Sequence, residues 1–112
     1  MPTSAKPSLR FFHSADLRAS SNKVLAALER DKDPTQQVGA LSSLVVDLTE
    51  AGLDYYFLKP LQQAKVGFVA RQTASFGMAG ALRVMSPIIR SILAGTNATQ
   101  LRVIARHIRH LM

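Results

Sequence analysis

Residues 67 to 88 read GFVARQTASFGMAGALRVMSPI, and this stretch decides the fold. Small side chains recur in it at alternating steps of three and four residues, the spacing of a helix face that packs against another helix. Two larger residues, Val84 and Ile88, continue the same spacing. The resulting packing seam consists of Gly67, Ala70, Ala74, Gly77, Ala81, Val84 and Ile88. Because glycine inside a helix costs about 0.5 to 1 kcal/mol relative to alanine, the glycines indicate a close contact between backbones.

The helix that carries the seam is predicted to begin at Pro60, after a connector over residues 53 to 59. It meets no strong stop before Pro87, where we expect a kink or a tight break because proline lacks a backbone N–H. Its other side chains are mostly apolar, and a helix that is apolar on most sides is buried on most sides. The seam either contacts the second helix of the same chain, or it joins two long helices that cross at Gly77 in a two-fold symmetric homodimer.

Two further helices precede the long one. Apolar residues at helical spacing predict the first helix from residue 16 or 21 to residue 30. The second helix has a clear start, since Asp33 can cap it, Pro34 suits the first helical position and Gln36 stands where a capping-box partner belongs. Gly52 is predicted to end this helix in a left-handed conformation.

The last helix is predicted over residues 98 to 112. Gly95 ends the segment before it, and Asn97 followed by Gln100 has the spacing of a capping box. No strand-like alternation or hairpin dipeptide occurs in the sequence. The sequence therefore predicts an all-α fold, a small bundle of four or five helices with one long central helix.

Length and composition predict one helical domain over residues 16 to 112, preceded by a flexible N-terminal arm over residues 1 to 15. The 112 residues are 47% apolar, which is typical of a globular protein. Residues 1 to 17 lack the continuous apolar segment of a secretory signal, so a cytoplasmic location is expected. Arg71, Arg83 and Arg90 interrupt the apolar back half, and we therefore expect no transmembrane span.

Charge is distributed very unevenly along the chain. The formal net charge is +7, and no carboxylate side chain follows Asp54. Such an asymmetry predicts an anionic partner for the back half. The residues expected to contact this partner are Arg83, Arg90, Arg102, Arg106, Arg109 and His110.

The last helix admits several interpretations of its basic stripe. Arg102, Arg106 and Arg109 lie on one side of it, next to an apolar arc. The stripe is either a solvated outer face, or a surface for an acidic protein partner, or a contact to the phosphates of nucleic acid. A weaker alternative is contact with an anionic membrane surface or binding of an acyl ligand in the bundle.

Sites for catalysis, metals or cofactors are not expected. The chain has no cysteine, and the pair His107 and His110 is flanked by arginines that would repel a cation. Glycine loops for phosphates, serine elbows and clusters of metal ligands are also missing from the sequence. The prediction is therefore a non-catalytic, homodimeric helical interaction module that presents a basic face to an acidic partner, with nucleic-acid binding as the first alternative.

Overall fold

The computed structural model describes residues 13 to 112, of which 87% are helical and none lies in a strand. The helices are α1 (Ala15–Arg30), α2 (Val38–Leu53), α3 (Lys59–Gln63), α4 (Phe68–Ala94) and α5 (Ala98–Leu111). A 3₁₀ turn, Pro34–Gln37, precedes α2, and a π turn, Asp54–Leu58, joins α2 to α3. The predicted all-α bundle with one long helix is thus confirmed. The predicted arm, apart from its last three residues, lies outside the described residues.

Two of the predicted helix starts are present in the structure. The side-chain oxygen of Asn97 accepts a hydrogen bond from the backbone N–H of Gln100 at 2.9 Å, and the Gln100 side chain accepts from the Asn97 N–H at 2.9 Å. Asp33 accepts from the backbone N–H of Thr35 at 3.2 Å, with Pro34 in the first helical position. The backbone N–H of Gln36 instead bonds the Asp33 carbonyl at 3.2 Å, so this start is a 3₁₀ turn.

The turn between α1 and α2 is organised by Asp31. Its carboxylate accepts hydrogen bonds from the backbone N–H of Asp33 at 3.0 Å and from the side-chain amide of Gln37 at 3.1 Å. These two bonds hold the pKa of Asp31 below its usual value, because they stabilise the ionised form. The short loop therefore leaves α1 and α2 as an antiparallel pair.

The apolar core lies where α1, α2 and α5 meet the last turn of α4. Its fully buried side chains are Leu25, Leu28, Leu41, Leu44, Leu93, Leu101 and Ala105. Only Leu93 among them belongs to α4. Most of the long helix therefore lies outside the core, contrary to the expectation that a helix of this composition is buried on most sides.

The predicted stop at Gly52 and the connector over residues 53 to 59 are wrong. Gly52 is helical, and the chain continues through the π turn into α3 without a break. Lys59 donates its backbone N–H to the carbonyl of Asp54, a bond across five residues. Pro60 follows directly, where a regular α-helical turn would bring its ring against the carbonyl of Tyr56. The wider π turn is the local adjustment that accommodates this proline.

The predicted long helix from Pro60 is interrupted at residue 65. Lys65 has a φ of 57°, the only positive value among the described residues. The N–H of Val66 bonds the Leu61 carbonyl at 3.3 Å, and the N–H of Lys65 bonds the Gln62 carbonyl at 3.1 Å. This is the Schellman pattern that closes a helix. Because the left-handed position usually holds glycine or asparagine, the stop was not visible in the sequence.

The break expected near Pro87 is absent, since α4 runs through Pro87 to Ala94. Pro87 is exposed, so the Arg83 carbonyl that loses its helical donor faces solvent and can bond water. The helix therefore keeps its full 27 residues. A kink at Pro87 stays a prediction.

Helix α4 packs along α2 through one side only. Its half-buried or buried apolar residues are Ala74, Met78, Leu82, Ile89 and Leu93, and they recur at helical spacing. The smallest dimension of the molecule is 22 Å, which is two helix diameters of about 10 to 12 Å each. Among residues 13 to 112, no second layer of helices covers the side of α4 away from α2.

Candidate interaction surfaces

The first candidate site is the exposed apolar surface of α4. Six large side chains along this helix are more than half exposed, whereas an ordinary domain of this size would bury most of them. They are Phe68 (65% exposed), Val69 (76%), Phe76 (71%), Val84 (66%), Ile88 (53%) and Ile92 (65%). On a helical wheel Val84, Ile88 and Ile92 share one side of α4, whereas Phe68, Val69 and Phe76 lie on other sides. Exposed large apolar side chains of this number are a feature of interaction surfaces.

The packing seam lies on this exposed surface. Gly67 caps α4, and the other members of the seam lie within the helix. Ala74 is half-buried, and every other seam residue is exposed. A Cβ atom built on Gly67, Gly77 or Gly80 would meet nothing within 4 Å, so no part of the described chain approaches these glycines. The alternative in which the seam contacts the second helix of the same chain is therefore wrong.

The arginines of α4 have different surroundings. Arg90 donates to the hydroxyl oxygen of Ser43 on α2 at 3.2 Å, which ties it to the edge of the α2 contact. Arg71 and Arg83 are exposed, and neither forms an ion pair with any of residues 13 to 112. On a helical wheel, Arg83 and Arg90 lie on the same side as Gln72, away from the seam.

The second candidate site is a basic groove between α1 and α5, with a volume of about 490 Å³. Its floor is apolar, and the charged groups surround the floor. The residues that line it are Leu28, Glu29, Arg102, Ala105, Arg106, Arg109 and His110. Four of the six predicted basic residues are thus brought together. Arg83 and Arg90 lie on α4 and do not line the groove.

One acidic residue enters this groove. The guanidinium of Arg109 donates to Glu29 at 2.5 Å and to the side-chain oxygen of Asn22 at 3.4 Å, both on α1. Arg102 donates to the backbone carbonyl of Lys32 at 3.4 Å. Arg106 has no hydrogen-bond or ion-pair partner within the described part of the chain. The sequence predicted that the acidic residues lie on outer faces. It did not predict the ion pair between Glu29 and Arg109, which are 80 residues apart.

The third candidate site is a groove between α2 and α4, about 460 Å³ in volume. Asp47, Glu50 and Asp54 line its α2 side, and Met78 and Leu82 line its α4 side. Asp54 lies 3.9 Å from the ammonium group of Lys59. Three of the seven acidic residues thus lie beside α4, and the other four belong to α1 or to the turn that follows it.

Comparison with known proteins adds no functional information. The chain matches no protein-family model, and no characterised protein or solved structure resembles it significantly. By length and composition alone, α4 is long and apolar enough to cross a membrane, with 11% of its most apolar 18-residue window buried. Only Arg83 carries charge between Arg71 and Arg90, which explains this result. The expected absence of a transmembrane span stays a prediction.

Proposed function

We propose that this protein is a non-catalytic interaction module that pairs with a second copy through α4 and offers its basic groove to an acidic protein partner. The observation that carries the proposal is the exposure of α4. The helix contributes one buried residue to the core and leaves most of its large apolar side chains exposed. A partner that covers this surface removes it from water.

The magnitudes favour an extended contact. Complete burial of a Val, Ile or Phe side chain contributes about 1.5 to 3 kcal/mol. Association costs about 4 to 15 kcal/mol in lost freedom of motion. A single anchoring side chain is insufficient. Val84, Ile88 and Ile92 are the large side chains on the seam side that are more than half exposed, and together with Met85 and the same residues of a second copy they can outweigh the cost. The contact should therefore run along most of α4.

A second copy fits this surface better than a lipid surface does. Gly77 and Gly80 each weaken the helix by about 0.5 to 1 kcal/mol relative to alanine, and nothing in the described chain approaches them. Small residues in a helix allow close approach of another helix backbone, which increases van der Waals contact. Disordered lipid chains gain little from such a groove. The glycines are therefore explained by a helix as partner.

The basic groove supports the second half of the proposal. Three guanidinium groups face one carboxylate there, so the groove keeps excess positive charge. Arg106 supplies donors that Glu29 does not occupy. An acidic protein segment would find excess positive charge in this groove. Leu28 and Ala105, the apolar residues of the groove, are buried, so the contact would rest mainly on charge.

Sedimentation of the purified protein over a range of concentrations tests the pairing. The wild type should form dimers at micromolar concentration. Gly77→Leu should weaken the dimer about tenfold or more, because the added side chain separates the backbones, and tenfold corresponds to about 1.4 kcal/mol. Ile88→Glu should weaken it further by burying an unpaired charge.

Gly39→Leu is the matched control. Gly39 is exposed on α2, and a Cβ atom there also meets nothing within 4 Å. This variant changes the same residue type in a helix but leaves the α4 surface intact, so its dimer should equal that of the wild type. A wild type that remains strictly monomeric at high concentration contradicts the proposal.

A further inference from the structure

We infer that the two copies pair antiparallel, with each α4 crossing its symmetry mate at Ala81. The inference rests on the proposed self-association and specifies its geometry. The seam side of α4, from Ala70 to Ile92, is the exposed strip, and its two halves differ in character. The N-terminal half carries the small residues Ala70, Ala74 and Gly77, of which Ala74 is half-buried, and the C-terminal half carries the large exposed residues Met85, Ile88 and Ile92. Ala81 lies midway between them.

Antiparallel pairing about Ala81 places each small residue opposite a large one. The pairs across the two copies are Ala70 with Ile92, Ala74 with Ile88, and Gly77 with Met85. The exposed side chains of the large half then fill the space above the small half, on both sides of the two-fold axis. Close packing of this kind is what protein interiors and stable interfaces require.

Parallel pairing gives a poorer fit. Ile88 and Ile92 would each face their own copy, and their bulk would hold the helices apart at one end. The same separation would leave a gap beside Ala70 and Ala74 at the other end, and a gap loses van der Waals contacts outright. The size gradient along α4 therefore selects the orientation.

The charges of α4 are compatible with the same orientation. The helix carries Arg71, Arg83 and Arg90 and no acidic residue. Arg83 and Arg90 lie away from the seam, so their repulsion across the pair is weak in either orientation. In the antiparallel pair Arg90 is level with Gln72, Arg71 with Ser91, and Arg83 with Ala79. No two arginines then share a level.

Cysteine cross-linking of the full-length protein tests the geometry, since the wild type contains no cysteine and each introduced thiol is the only one in its chain. We expect a mixture of Ala74→Cys and Ile88→Cys chains to form a disulfide-linked heterodimer under mild oxidation. Each variant alone should remain largely unlinked, because the antiparallel arrangement separates identical positions by about 21 Å along the helix. Disulfide formation requires Cα atoms within about 7 Å.

Thr99→Cys is the control. Thr99 is exposed on α5, outside the α4 strip, so its background of random disulfides measures collision between free molecules. The mixed pair should exceed this background at least tenfold at equal concentration. Sedimentation of each variant before oxidation shows whether the substitution itself has abolished pairing. In that case, disulfide formation in a mixture of Ala70→Cys and Ile92→Cys chains tests the same geometry independently.

Each other outcome overturns the inference in a recognisable way. Efficient linkage of Ala74→Cys to itself, without linkage in the mixture, indicates a parallel dimer, which contradicts the inference and leaves the proposed function standing. A monomeric wild type contradicts both. A membrane is the occupant of the α4 surface if the wild type floats with anionic vesicles and if vesicles alone protect the α4 thiols from a water-soluble maleimide. This outcome also contradicts both the inference and the proposed function.

Discussion

Lys65 shows how one residue sets the length of the longest helix. It adopts the left-handed conformation between α3 and α4, where an L-residue with a Cβ pays about 1 to 2 kcal/mol. The structure accepts this cost because two Schellman hydrogen bonds close α3 there. The turn separates α4 from the α2 to α3 segment and lets α4 return along α2. The start of the exposed strip thus depends on a strained lysine.

Lys65→Gly should stabilise the protein by about 0.5 to 1 kcal/mol. Glycine removes the strain of the left-handed conformation, and the greater freedom of glycine in the unfolded chain offsets part of the gain. Denaturant unfolding followed by circular dichroism measures the change. Lys65→Ala is the control, since it removes the charge but keeps the strain, and it should give no stabilisation. Equal stabilisation by both variants would attribute the effect to charge.

The arginines of α5 differ in the contacts that they make with the rest of the molecule. Arg109 is held by Glu29 and Asn22 of α1, and Arg102 bonds the Lys32 carbonyl in the turn after α1. Arg106, between them in sequence, is exposed. The same helix therefore uses Arg109 to dock against α1, and Arg106 is the arginine that the proposed function assigns to the partner.

Arg106→Ala should weaken binding of an acidic peptide or polyanion by about 1 to 3 kcal/mol without loss of stability, since a charged hydrogen bond is lost and no internal partner is stranded. Arg109→Ala should weaken binding less and reduce stability by about 0.2 to 1 kcal/mol, as expected for an exposed ion pair. Fluorescence anisotropy with a polyglutamate peptide measures binding, and thermal unfolding measures stability.

Arg71→Ala on α4 is the matched control, because Arg71 is exposed but lies outside the groove. It removes the same charge and should leave peptide affinity nearly unchanged. Duplex DNA in place of the peptide tests the alternative function. Tighter binding of DNA, with a salt slope that Arg106→Ala flattens by about one, would favour nucleic acid over an acidic protein.

At the scale of the whole molecule, the core is concentrated at one end of α4. Buried residues of α1, α2 and α5 surround Leu93, whereas the first two thirds of α4 rest on α2 and the π turn. A single copy therefore holds α4 weakly along much of its length. A second copy that covers the exposed strip adds stability that depends on protein concentration.

The melting temperature of the wild type should rise by several degrees over a hundredfold increase in protein concentration. Mass action stabilises a folded dimer against unfolded monomers, and a ligand at 100 times its Kd contributes about 2.7 kcal/mol. Each kcal/mol corresponds to about 4 to 8 °C in a domain of 60 to 100 residues. Ile88→Glu should remove the dependence. Calorimetry at two concentrations measures it, and a constant melting temperature in the wild type would contradict the pairing.

The amino-acid sequence alone determined the all-α class, the Asp33–Pro34 and Asn97–Gln100 starts and the seam of small residues as a pattern. These features depend on residues three or four positions apart, whose relation a helix makes predictable. Only the tertiary structure decided that α2 contacts another side of α4, that Glu29 reaches Arg109 and that Lys65 turns left-handed. Such outcomes depend on which of several apolar surfaces, distant in sequence, packs into the core. The spacing of residues along the chain does not determine this choice.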